Sequence, residues 1–270
     1  MRIRMALVVV MGAGIIASLC VGQDPPEQTP RPVPQLLANL RSNDPGKRGT
    51  AVQKVRSNPT MLRDPNVRSA LLDLLDQENH EAEAELRKGE REQAAGRDHT
   101  SESSDGNAMY MDDVLGTIES FADLHDPRQV CLLVKAGAVV PESADARENA
   151  TCAKAAMPCL QQLSRSDLFM DRLNAVKISV HLLASAGESL NPDIAEVMKS
   201  VVVLAVHDKR VEVRFETVDW LGRLGKSDMI PALSELAESD PGYGATKDEI
   251  AVRKNAAQAI IAIQQREGHQ

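Results

Sequence analysis

The apolar positions in the C-terminal half of the chain recur with a helical period, and the same pattern returns at long intervals. Three stretches align without gaps when Arg172, Arg214 and Arg253 are superposed. Three and four residues further on stand Ala175 and Val176, Thr217 and Val218, Ala256 and Ala257. Six, seven, eight and ten residues on come Ile178, Ser179, Val180 and Leu182, then Trp220, Leu221, Gly222 and Leu224, then Ala259, Ile260, Ile261 and Ile263. Offsets of three, four, seven and ten define one helical face, and offset six widens it. The arginines stand 42 and 39 residues apart, which is the length of a supersecondary module and not of a heptad.

The helix preceding each of these stretches recurs as well. Pro158, Leu160 and Leu163 run toward Asp167, as Pro231, Leu233 and Leu236 run toward Asp240. Lys199, Val201, Leu204 and Asp208 repeat the spacing without the proline, and Pro34, Leu36, Leu37 and Leu40 before Asp44 form a weaker copy. The predicted unit is helix, tight polar turn, helix. Residues 64–75 and 114–130 fit it loosely. A polar insertion at about 78–107 interrupts the array: Glu81 to Arg97 predicts a helix extended into solvent, and His99 to Asn107 reads as disordered. Such an insertion costs little in loop entropy, so tolerance is preferred to a regulated binding loop.

These features resemble the HEAT family in its bacterial form, which includes phycobilisome lyase-like repeats. The resemblance rests on Asp208 with Val213-Arg214, Leu221-Gly-Arg-Leu-Gly225, Met229-Ile-Pro-Ala-Leu233, and Val252-Arg253 with Ala256 and Ala257. It covers 156–266 best, 34–57 less well and 60–150 thinly. It implies an all-α solenoid, a right-handed superhelix of five or six helical hairpins spanning residues 35–266, with the second helix of each hairpin on the concave face. It also implies a ladder between neighbouring repeats, giving Asp167 with Arg172, and Asp208 with Arg214, a structural role that Arg253 would share. No activity follows from the fold.

Aromatic residues make up only 2% of the chain, so helices packed through Ala, Val and Leu are expected. The formal charge of -8 opposes phosphate-bearing partners, nucleic acid and anionic lipid alike. At the N-terminus, Arg2 and Arg4 precede an apolar run from Met5 to Val21. Residues 1–22 therefore read as an export signal directing the protein to the periplasm or cell envelope. An uncleaved membrane anchor is the competing reading, since the run is only slightly shorter than a spanning helix. Leu19 before Cys20 departs from a lipobox. Residues 23–34, with five prolines between Pro25 and Pro34, predict an extended tether.

The six histidines lack metal-ligand spacing. His125-Asp126 and His207-Asp208 suit helix ends, and Asp112-Asp113 suits a helix start. No serine has the context of a nucleophile, so neither a catalytic centre nor a cofactor is expected. Beyond Cys20 there are three cysteines. Cys152 and Cys159 lie about 10 Å apart within one helix, too far to bridge. One disulfide between Cys131 and either of them, or three free thiols, are both consistent with the sequence.

An exported scaffold for protein–protein interaction is the function these features favour. A lyase or cofactor-handling protein and a purely structural envelope subunit are the alternatives. The residues turned away from the predicted core give the candidate protein-binding surface: Leu173, Asn174, Lys177 and His181 on one helix, Phe215, Glu216, Asp219 and Arg223 on the next, then Lys254, Asn255 and Gln258. Leu173 and Phe215 share an offset. They make either an apolar patch or contacts tucked against a neighbouring helix. Cleavage of the export signal is checked by mass spectrometry of the native protein, with an N-terminus expected between Val21 and Asp24. An intact Met1, or a lipid on Cys20, would make the protein anchored instead.

Overall fold

Asp44, Asp126 and Asp145 each open a helix by accepting hydrogen bonds from backbone N–H groups that the first turn cannot satisfy. At Asp145 the bond is reciprocated, because Glu148 accepts from the Asp145 N–H and closes a capping box. Pro45, Pro127 and Pro192 occupy first-turn positions where a missing N–H costs nothing. The computed structural model describes residues 33–95, 105–138, 145–239 and 247–268. The export segment and nearly all of the proline tether lie outside them. Among the described residues there are eleven α-helices and no strand: α1 (Val33–Leu40), α2 (Pro45–Ser57), α3 (Pro65–Ala94), α4 (Asp105–Glu119), α5 (Pro127–Lys135), α6 (Ala146–Leu163), α7 (Phe169–Ala186), α8 (Pro192–Val206), α9 (Val211–Leu224), α10 (Ile230–Ser239) and α11 (Lys247–Gly268). The chain is all-α, as its periodicity predicts. No described helix is long and apolar enough to cross a membrane.

From α5 to α9 each helix packs with its neighbour in sequence, and helices two places apart also meet. α7 touches α9, and α9 touches α11; α6 touches α8, and α8 touches α10. Each hairpin therefore buries its apolar stripe against the next. One core cluster, including Leu160, Ile178, Leu182 and Met198, joins α5 to α8. A second, including Val218, Leu221, Leu233 and Ile263, joins α7 to α11. The aligned offsets fill both. Ala175, Val176 and Leu182, then Thr217, Val218 and Leu221, are all buried. In α11 the pattern holds at Ala256, Ala259 and Ile263 but Ala257 and Ile261 are exposed. Only α9, α10 and the short turn before α10 cover α11 among the described elements.

The elements before α7 depart from the regular hairpin spacing. α6 runs unbroken through Pro158, whereas Pro231 stands in the first turn of α10. α3 continues to Ala94, so the stretch from Glu81 is helical as far as the described residues run. The turn just before it is tied to the array, where Glu78 pairs with Arg48 and Asn79 donates to the Leu132 carbonyl at 3.0 Å, and Glu81 at its start lies 3.5 Å from Arg48. Asp112 and Asp113 lie within α4, where Asp113 accepts from Gln53 and Arg56 of α2 and caps nothing. Residues 96–104 are outside the described set, and α4 already begins at Asp105.

Of the cysteine pairings left open by spacing, the structure has Cys131–Cys159, linking α5 to α6 with 5.6 Å between Cα atoms. Cys152 is free and buried, and burial pushes its thiol up to about 12. Asn149 of the Asn149-Ala-Thr151 sequon is also buried, so a glycan has no access to it in the fold. The bridge closes a segment with a sequence separation of 28. Cys131→Ser is therefore expected to lower unfolding free energy by about 2–4 kcal/mol in urea titration. A variant as stable as the parent would show that the bridge contributes nothing in solution.

Candidate interaction surface

The surface is held in place by a set of buried arginines in the first turns of the second helices. Arg48, Arg172 and Arg214 are only 3%, 8% and 3% exposed. Each donates from Nη1 to the carbonyl six residues earlier: Ser42 at 3.2 Å, Ser166 at 2.8 Å and Asp208 at 2.7 Å. Arg172 Nη1 also reaches the Asp167 carbonyl at 2.9 Å. The guanidinium thus satisfies turn carbonyls that the preceding helix leaves without partners. In Arg48 and Arg172 another edge goes to a carboxylate from a different element. Arg172 grips Asp208 with Nε–Oδ2 at 2.5 Å and Nη2–Oδ1 at 3.0 Å, a bidentate pair between consecutive hairpins. Asp208 Oδ1 takes the Arg210 N–H as well. Arg48 instead meets Glu78 of α3 by a single ion-pair contact, Nη2–Oε1 at 2.8 Å, without the fork.

The side-chain pairing therefore differs from the one the repeats suggest. Asp208 pairs with Arg172 of the previous hairpin, and it offers Arg214 only its carbonyl. The Asp167 side chain is exposed, and its carbonyl alone serves Arg172. Arg253 is exposed and reaches the Ala237 and Glu238 carbonyls at 3.4 and 3.5 Å, a weak form of the contact. Among the described helices none follows α11 to bury it. Arg48 is the member that sequence reading missed. Its signal is the buried Leu40 followed by Asp44 and then a basic residue in the first turn of α2.

A second device closes the C-terminal ends of helices. α5 ends at Gly137, whose φ of +71 lies in the left-handed region that favours glycine. A Cβ there would stand 2.8 Å from Asn174 Oδ1. Asn174 Nδ2 donates to the Lys135 carbonyl and Lys177 Nζ to the Gly137 carbonyl, both at 2.8 Å. In the same manner Arg266 of α11 donates to the Gly222 and Gly225 carbonyls at the end of α9, at 2.5 and 2.6 Å. Two of the α7 positions assigned to the surface are thus engaged in capping α5.

What remains open is a polar and aromatic face carried by α7, α9 and α11. Trp220, half-buried, lies between Lys177 Nζ at 5.9 Å and Arg223 Cζ at 5.6 Å from the ring centroid. Asp219 pairs with Arg223 at 2.8 Å. His181 and Glu216 are half-buried, as is Asn255, and Lys254 and Gln258 are exposed. Leu173 and Phe215 do not behave alike. Leu173 packs against the second core cluster, whereas Phe215 is 37% exposed. Trp220 was assigned to the core by its offset; the ring sits at the core's edge because α9 presents offset six obliquely between the two faces.

Among the described residues, no group of three His, Cys, Asp or Glu side chains converges as a metal site would. His207 is the C-terminal cap residue of α8, and its ring faces Glu235 of α10 at 3.6 Å. His125 directly precedes the α5 cap Asp126.

Removing either partner of the buried Arg172–Asp208 pair leaves an uncompensated charge. Arg172→Ala and Asp208→Ala are each expected to cost about 3–5 kcal/mol in chemical denaturation. Arg223→Ala, which breaks an exposed pair, is expected to cost less than about 1 kcal/mol. Arg172→Lys keeps the charge and loses the fork, so it should recover only part of the loss. Equal small effects at Arg172 and Arg223 would remove the ladder from the account of stability. Compared with family models, curated proteins and solved structures, the chain matches none of them.

Proposed function

We propose that this chain is an exported, non-catalytic scaffold of the HEAT-repeat kind, a superhelical stack that binds a protein partner along the face formed by α7, α9 and α11. The observation that carries the proposal is the side-by-side packing of these three second helices, with Trp220, Phe215 and charges of both signs on their open side. An aromatic anchor rimmed by Lys, Arg and Asp is the composition found at the centres of protein interfaces. The face needs no movable part: buried pairs and end caps hold its backbone, so little ordering cost would accompany binding.

The disulfide supports export, because a bridge of this kind persists in an oxidising compartment such as the periplasm. The charge of -8 supports a protein partner over nucleic acid.

A photo-crosslinking residue placed at Gln258 or Lys254 in the native envelope should capture a discrete partner. The same residue at Leu204, exposed on α8, should not. Phe215→Ala should weaken capture by about tenfold or more and leave the melting temperature nearly unchanged. Leu173 is unsuitable as a companion probe because it contributes to the core. Adducts formed equally from Leu204 and Gln258, or capture unaffected by Phe215→Ala, would overturn the assignment of the face.

A further inference from the structure

Between the ends of α7 and α9 and the first turns of α8 lies a cavity of about 140 Å³. Its walls are aliphatic, with Leu183, Leu190, Leu221 and Met229 prominent among them. The pocket opens to solvent on one side, and small residues in its walls leave the space. Four of them have little or no side chain: Ala184, Gly187, Ala195 and Gly225. Two of the glycines have a backbone reason. Gly187 has φ +52, and a Cβ on Gly225 would stand 2.5 Å from the Leu221 carbonyl oxygen. No such constraint applies to Ala184 or Ala195, both on regular helices, where a larger apolar residue would fill the space.

The rim is charged. Lys199 and Asp228 form an ion pair at 2.5 Å, and Lys226 beside them is exposed, with no ion-pair partner among the described residues. The C-terminal end of α9 would ordinarily repel an anion. Here its Gly222 and Gly225 carbonyls are covered by the Arg266 guanidinium. Two further carboxylates lie nearby: Glu267 accepts the Ser227 N–H, and Glu196 acts through space on Lys199. Three cations thus face three carboxylates, and the cation without an ion-pair partner among the described residues is Lys226.

We infer that this pocket binds a small apolar monocarboxylate, whose branched or cyclic tail of about six carbon atoms fills the aliphatic cavity while its carboxylate meets Lys226 at the rim. A cavity of comparable volume with aliphatic and aromatic walls takes up a benzene ring, which sets the size of the tail. The cation selects an acid over a neutral molecule of the same shape. The ligand can be a free carboxylic acid or the C-terminal residue of a peptide ending in leucine or phenylalanine, since both present the same chemistry. This site is independent of the face on α7, α9 and α11, and either proposal can fail alone.

The test is an NMR titration of the full protein with benzoate and with benzyl alcohol, following the amides of Ala184, Gly187 and Ala195. Benzoate should give saturable shifts at these positions, and benzyl alcohol should bind more weakly. Lys226→Gln, a surface change, should weaken benzoate binding by about two- to fivefold and leave benzyl alcohol unaffected. Ala195→Leu, whose helical fold is checked by circular dichroism, should abolish both. A peptide with a C-terminal leucine carboxylate and its amide form separate the sources. Tighter binding of the peptide acid than of benzoate assigns the site to protein termini, and binding of benzoate alone assigns it to free acids. Absence of saturable shifts, or shifts that persist in Ala195→Leu, would overturn the proposal. Equal affinities for acid and alcohol would overturn it too.

Discussion

The Arg172–Asp208 contact is the interaction on which the ordering of the hairpins depends. A guanidinium is costly to remove from water, and this one is accepted into the interior only because carbonyls and a carboxylate take most of its donors. The carbonyls come from its own turn and the carboxylate from the next hairpin. Burial of the charge is therefore conditional on the next hairpin being present and in register. Apolar contacts between helices are tolerant of sliding, whereas a bidentate fork is not. The pair thus sets where α8 and α9 sit relative to α6 and α7, and the two core clusters fill in around that placement.

The same logic extends to both ends of the array in modified form. At α2 the carboxylate comes from Glu78 on α3, so a long helix takes the place of the next turn. That substitution ties α3 to the array at Glu78, just before its polar stretch. At α11 the arginine is exposed, because no described helix lies beyond to cover it. End caps from Asn174, Lys177 and Arg266 complete the scheme by joining second helices through their terminal carbonyls. The cost is that these side chains are engaged in holding the fold. The open face is left to Phe215, Trp220 and the residues around them.

Periodicity in the sequence was enough to place α7, α9 and α11 and most of their buried positions. A stripe at offsets three, four and seven reflects the geometry of one helix and needs no partner to be recognised. Capping aspartates and first-turn prolines act just as locally, each within four residues of itself. Pro158 lies inside α6, the one helix that carries both Cys152 and Cys159, whereas Pro231 stands in the first turn of α10. Asp112 and Asp113 misled, since two acids suit a cap and only the position of α2 shows what Asp113 accepts from.

What the sequence determined by itself was the helical class, the repeat length and most of the residues that are buried on the second helices. These follow from local rules of turn, cap and period that operate within one hairpin. Tertiary structure decided which carboxylate each arginine meets, that Cys131 pairs with Cys159, that Leu173 is packed while Phe215 is open, and that Asn174 and Lys177 are engaged in capping. Each of these joins atoms about 28 to 40 residues apart or turns on which neighbouring helix covers a given offset. The physical reason is that a helix wheel fixes the direction of a side chain, whereas the distance and identity of what it meets are set by the packing of the next hairpin.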